Sequence, residues 1–209
     1  KHLPFHAFTA YPFTLLFGVS AGMKVATLAA GWGVLIATFA LVRRFFSSAA
    51  AVIAVIGVLL HPAFVLMTQL ASADLVFTLL FLCTLLAYMR AKLDTRWYLV
   101  VGVLAGCMCL TRYNGLPMLP VLFVWTAVKR RSHLQSGWFW GGVGGGSLII
   151  GAWFVRNFLV FGNPFHSDYT SELASESKGP LGQVISNIVY YLNPIHNVFL
   201  FFFPFCIYG

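Results

Sequence analysis

The 209-residue chain reads as an all-α, polytopic transmembrane helix bundle, and three observations carry that reading. Charged residues make up 9% of it against 60% hydrophobic, more apolar side chain than one water-soluble core of this size can bury. The apolar residues fall in continuous runs close to the roughly 20 residues that one helix needs to cross a bilayer. The runs do not alternate apolar with polar, which argues against a closed β-barrel, the other way to satisfy every backbone group in lipid.

Taken in order, the opening KHLPFHAFTAYPFTLLFG is aromatic and punctuated by Pro4 and Pro12. It is too broken to span by itself, and residues 1–21 are expected to lie at the membrane interface. Spans follow at about 22–42, 49–70, 74–90, 97–113, 116–129, 138–160 and 197–209, about seven in all, the last cut off at the end of the sequence. A polar loop covers 162–196. The whole of 1–209 is expected to be a single transmembrane domain. Lys1 opens the chain without a Met and the last apolar run stops at Gly209, so the expectation is an interior piece of a longer protein.

The formal charge of +8 does not imply a nucleic-acid partner, because the bases sit in small groups at the ends of apolar runs. Arg43, Arg44, Arg90, Lys92, Arg96, Lys129, Arg130 and Arg131 fall in alternate breaks, a topology signal that makes that side cytoplasmic. The opening segment, the 70–74 turn, the LTRYNGLP turn and the 162–196 loop then share the outer face. Asp168, Glu172 and Glu176 lie in that loop, and Asp74 opens a helix at the same face. Location follows as the cell inner membrane, multi-pass, with an extracytoplasmic active face.

The four cysteines, Cys83, Cys107, Cys109 and Cys206, lie in apolar runs and read as packing residues. Gly137, Gly141 and Gly145 recur every fourth residue, as do Gly142 and Gly146, a spacing that permits close helix approach. A phosphate loop would want a following Lys and a preceding soluble strand, and neither is present. His2, His6, His61, His166 and His196 fall on the outward half, but their spacing matches no compact ligand motif and no metal ligand is assigned. His61, next to Pro62, is read as satisfying a backbone freed by a kink.

Charges at a membrane edge are informative because placing them costs a few kcal/mol unless a partner or a wet cavity receives them. Three stand out. Asp74 either caps the first turn of its helix and complements the dipole, or points into an outward cavity to orient a sugar hydroxyl or assist proton transfer. Arg112 and Arg156 lie near the outer ends of their spans, against the positive-inside bias. An anion there would explain both, a lipid-linked phosphate being the natural one for forked guanidinium donors. Against that, each Arg can snorkel to headgroups, or pair with Asp74 or the loop acids.

In order and spacing, four tracts resemble the polyprenyl-phosphate-sugar-dependent glycosyltransferases of the GT-C fold, the group holding dolichyl-phosphate-mannose protein mannosyltransferases and the lipid A aminoarabinose transferase. They are the aromatic opening with FG before a helix ending VRRF, HPAFVLMTQLASADLVFTLLF, GVLAGCMCLTRYNGLPMLP and WFVRNFLVFGNPF. The resemblance implies a GT-C-like bundle performing an inverting sugar transfer from a polyprenyl-phosphate donor to an acceptor of unspecified class. It implies that Asp74 is a sugar-site acid while the principal catalytic acid lies upstream of Lys1, and that Arg112 and Arg156 contact the lipid phosphate. Relatives of the aminoarabinose transferase often carry Lys-Gly-Pro where Arg-Tyr-Asn-Gly stands here, which leaves the donor sugar open. Some members use a divalent metal and others do not, so the cofactor is unknown. The partners implied are membrane lipids and the lipid-linked sugar. The rival classes are a secondary transporter, which would show inverted repeats and helices broken at midplane, and a non-catalytic polytopic protein.

Overall fold

A computed structural model of the chain describes residues 4–163, all of them within one compact unit, Lys1–His166. The described residues form eight α-helices and two short 3-10 turns: α1 (Pro4–Phe17), α2 (Val19–Phe45), α3 (Ser48–Leu60), α4 (Pro62–Gln69), α5 (Ala73–Arg90), α6 (Trp97–Cys109), α7 (Met118–Lys129) and α8 (Gly137–Phe161), with the 3-10 turns at Tyr113–Gly115 and Arg131–Gln135. Three helices, α2, α5 and α8, are long and apolar enough to cross a membrane, and the pair α3 and α4, bent by 60°, makes a fourth if counted as one span.

The expected count of about seven is not confirmed: among the described residues three helices, or four spans with the bent pair, qualify by length and composition. The spans anticipated at 97–113 and 116–129 are helices of 13 and 12 residues, about 18–20 Å long against a hydrocarbon layer of about 30 Å. The chain leaves helical geometry at Arg112, which is extended (φ −151°, ψ 136°), and Pro117 precedes α7. The span anticipated at 197–209, nearly all of the 162–196 loop, His2, His166, His196, Asp168, Glu172, Glu176 and Cys206 lie outside the described residues. The opening segment forms one helix despite Pro12, and Gly18 (φ +79°) makes the reversal into α2, which begins three residues before the expected 22.

Local chemistry explains the boundaries. Ser47 caps α3, its Oγ accepting from Ala50 N at 3.2 Å. His61 ends α3 and caps α4, with Nδ1 accepting from Ala63 N at 3.2 Å and Pro62 in the first turn, where its missing N–H costs nothing. The kink role expected for His61 is what the structure contains. Gly162 (φ +70°) closes α8 in the left-handed conformation, its N–H bonding Phe158 O at 2.8 Å.

The glycines of α8 divide into a packed row and an open one. A Cβ on Gly142 would stand 2.1 Å from Tyr98 O, one on Gly146 2.7 Å from Gly102 O, and one on Gly102 1.9 Å from Gly142 O. The two rows, one on each helix, therefore meet backbone to backbone, and α6 and α8 run parallel. Gly137 and Gly145 face open space, and Gly141 meets only the end of Leu99 at 3.0 Å. Buried Thr27, Thr84 and Thr126 return their hydroxyls to Met23, Leu80 and Leu122 carbonyls one turn back, at 2.9, 2.7 and 2.8 Å, which satisfies them without water. Cys109 is buried, and Cys83 and Cys107 are half-buried free thiols. Large apolar side chains such as Trp32, Ile53, Leu148 and Leu159 point outward, as a bilayer requires.

Candidate functional site

Helices α2 and α5 run side by side in the same sense, Gly31 lying near Leu75 and Gly33 near Leu79. The start of α5 therefore stands at the end of the bundle opposite Arg43, Arg44 and Arg90, which close α2 and α5. The end of α6 joins it there, and the first turn of α1 is tied in by Phe5 N donating to Leu110 O at 3.4 Å. Beneath this rim lies an apolar core built from Ala30, Leu75, Val76, Leu80, Met108, Cys109 and Ile150.

On that rim Arg112 Nη1 donates to Asp74 Oδ1 in an ion pair. The partners are 38 residues apart in sequence: Asp74 in the first turn of α5 and Arg112 in the turn that follows α6. Cys109 ends α6, and Arg112 N still bonds back to Met108 O at 3.1 Å, so the extended residue is held where its side chain can reach across. Asp74 is not the helix cap. Ser72 is: its Oγ accepts from Asp74 N at 3.1 Å and donates to Asp74 Oδ2 at 2.5 Å. Each carboxylate oxygen thus has a donor, and the charge sits in the first turn, where the helix dipole favours it. The pair is reachable from outside, with 40% of the Arg112 side chain and 28% of Asp74 accessible. A guanidinium has five N–H donors and this bond uses Nη1.

Arg156 is held differently. It is exposed, Nη1 donates to Asn157 Oδ1 at 3.1 Å, and its guanidinium lies over the rings of Trp153 (4.8 Å) and Phe161 (5.5 Å), all on its own helix. Asn157 is buried at 1% exposure. Phe154, two residues before Arg156, lies beside Tyr113 of the LTRYNG turn with ring centroids 6.2 Å apart, so α8 brings Arg156 to the same end of the bundle. The structure joins Asp74 to Arg112, while Arg156 is organised by aromatic stacking on α8.

Sequence reasoning named Asp74 and Arg112 but passed over Ser72, which fixes the carboxylate. A Ser two residues before the Asp at a helix start was the available signal. Among the described residues no three of His, Cys, Asp or Glu come together in a metal-ligand cluster.

A family model described as dolichyl-phosphate-mannose-protein mannosyltransferase matches residues 1–155. No curated protein and no solved structure matches the chain.

Proposed function

The chain belongs to the dolichyl-phosphate-mannose-protein mannosyltransferase family, and from that membership together with the Asp74–Arg112 pair we propose that it moves a sugar from a polyprenyl-phosphate donor to an acceptor at the extracytoplasmic face. The family makes it a membrane glycosyltransferase of the GT-C type. The donor, the inverting course and the face are the proposal. A carboxylate takes the proton of an acceptor hydroxyl, whose oxygen bonds to the sugar carbon. The bond from that carbon to the phosphate oxygen breaks, and the lipid phosphate leaves with the electron pair.

Asp74 is assigned to the sugar, accepting from a hydroxyl. The deprotonating base is a different carboxylate, since Ser72 and Arg112 already engage both oxygens of Asp74. Arg112 is assigned to the departing phosphate through the N–H groups that Asp74 does not use, and Arg156 to the same anion. The single observation that carries the assignment is the pair itself: a carboxylate from the start of α5 and a guanidinium from the turn after α6 meet at one rim and remain accessible. The same pair also fits an Arg whose partner is simply Asp74, and exchanging the two residues, Asp74→Arg with Arg112→Asp, separates the two.

One observation favours the transporter reading, the 60° bend between α3 and α4. A transporter of inverted repeats needs a matching break in a second helix, and among the described residues this bent pair is the one that qualifies. The test is a radiolabelled-sugar transfer assay on the full-length protein in membranes with lipid-linked donors. Transfer from a polyprenyl-phosphate sugar is expected. Transfer only from a soluble nucleotide sugar overturns the donor assignment, and failure with every lipid-linked sugar overturns the enzymatic reading.

A further inference from the structure

From the basic end of the bundle toward the core beneath the Asp74–Arg112 rim, a cleft of about 340 Å³ opens between α6, α7 and α8. Its walls run from Tyr98 and Phe139 to Ala105 and Ile150, a stretch of about 16 Å along α8 at 1.5 Å per residue. That is about the depth of one leaflet, half of a hydrocarbon layer of about 30 Å. Two of the polar groups in the wall answer each other, Tyr88 Oη and Thr126 Oγ1 lying 2.7 Å apart, so they leave no donor calling for water. A cleft this dry suits a hydrocarbon chain.

Its basic end supplies the charge. Arg130 stands one turn beyond Thr126, its N–H bonding Thr126 O at 2.8 Å. The guanidinium lies 4.7 Å from the centre of the Tyr88 ring and donates to Tyr88 O at 3.2 Å, so it is fixed beside a residue that lines the cleft rather than trailing in solvent. Lys129 and Arg131 flank it. Arg90 and Arg96 lie over Trp97 and Trp138 at the same rim, at 4.9 and 6.0 Å. Among the described residues the acid at this end is Asp94, and its Oδ1 already accepts from Arg96 N at 2.9 Å.

We propose that this cleft holds one acyl chain of an anionic glycerophospholipid of the bilayer, with the lipid phosphate at Arg130. The proposal does not rest on glycosyl transfer, and the site is separate from the Asp74–Arg112 rim. A net-negative lipid rather than a zwitterionic one follows from the uncompensated bases, each worth a several-fold gain in affinity for an anionic surface.

The test uses the full-length protein in nanodiscs containing phosphatidylglycerol or phosphatidylcholine, each with a photoactivatable group on the acyl chain, and maps the labelled peptides. Phosphatidylglycerol is expected to label the cleft-lining stretches of α6 and α8 about fivefold or more above phosphatidylcholine. Arg130→Gln should remove that preference, and Ser147→Phe, which puts a ring on the α8 wall of the cleft, should lower labelling by both lipids. Arg130→Lys keeps the charge and should retain most of the preference, which separates charge from loss of the Tyr88 contact. Equal labelling by the two lipids overturns the proposal. So does labelling unchanged in both Arg130→Gln and Ser147→Phe, or no labelling of the cleft at all, the result expected if another helix of the full protein covers it.

Discussion

The two ends of this bundle use arginine in opposite ways. At one rim Arg112 meets a carboxylate, Asp74, brought from another helix. At the other, Arg90, Arg96 and Arg130 lie over the rings of Trp97, Trp138 and Tyr88. An ion pair cancels charge and sets a donor and an acceptor side by side, an arrangement suited to a polar substrate. Ring stacking orients a guanidinium while leaving its charge whole, an arrangement suited to an anionic surface. Arg156 sits at the first end but is held in the manner of the second, by Trp153 and Phe161.

Both ends hang on the α6–α8 seam, so the largest expected effect comes from breaking it. Gly142→Leu puts side-chain atoms where a Cβ alone would be 2.1 Å from Tyr98 O. The helices must separate, and the loss should reach or exceed ~3 kcal/mol, the upper end of what overpacking usually costs. Thermal unfolding in detergent should show a large drop, whereas Gly145→Ala, facing open space, should change little.

The next effect sharpens the contrast at the Asp74 rim. Arg112→Ala should lower sugar transfer by about 100-fold or more, the scale of losing a donor to a departing oxyanion, with membrane insertion intact. Asp74→Asn should lower it too. The doubly exchanged variant Asp74→Arg with Arg112→Asp separates a strut from a binding site. If the pair only holds α5 to α6, the exchange restores transfer; if Arg112 serves the phosphate, it restores thermal stability and leaves transfer low.

Arg156→Ala should have a smaller effect, a several-fold rise in the donor concentration needed for half-maximal transfer, since the contacts that hold its guanidinium among the described residues come from its own helix. An unchanged donor dependence removes Arg156 from the site. The smallest effect is expected from Asp94→Asn at the basic end, within about 0.5 kcal/mol in stability and silent in transfer.

Much of this was legible in the residues. The runs of apolar side chain set the class, and the three long helices lie close to where the runs do, because lipid leaves a backbone little choice but to bond within itself. His61 before Pro62 announced the bend. The span count was not legible, because hydropathy measures how apolar a stretch is and not where it leaves helical geometry. The run from residue 97 stays apolar to the end of α6, but the extended backbone at Arg112 and the 3-10 turn after it stop both neighbouring helices short.

For the site, sequence determined which side chains are anomalous: an Asp at a helix start and two Arg against the topological bias are conspicuous because charge is costly at a membrane edge. Only the tertiary structure decided which of them meet. Whether Arg112 reaches Asp74 depends on the order of helices around the bundle, and that order is set by backbone contacts such as those between Gly102 and Gly142, forty residues apart. Local pattern fixes what a residue can do; the partner it does it with is fixed by packing between segments that sequence spacing does not relate.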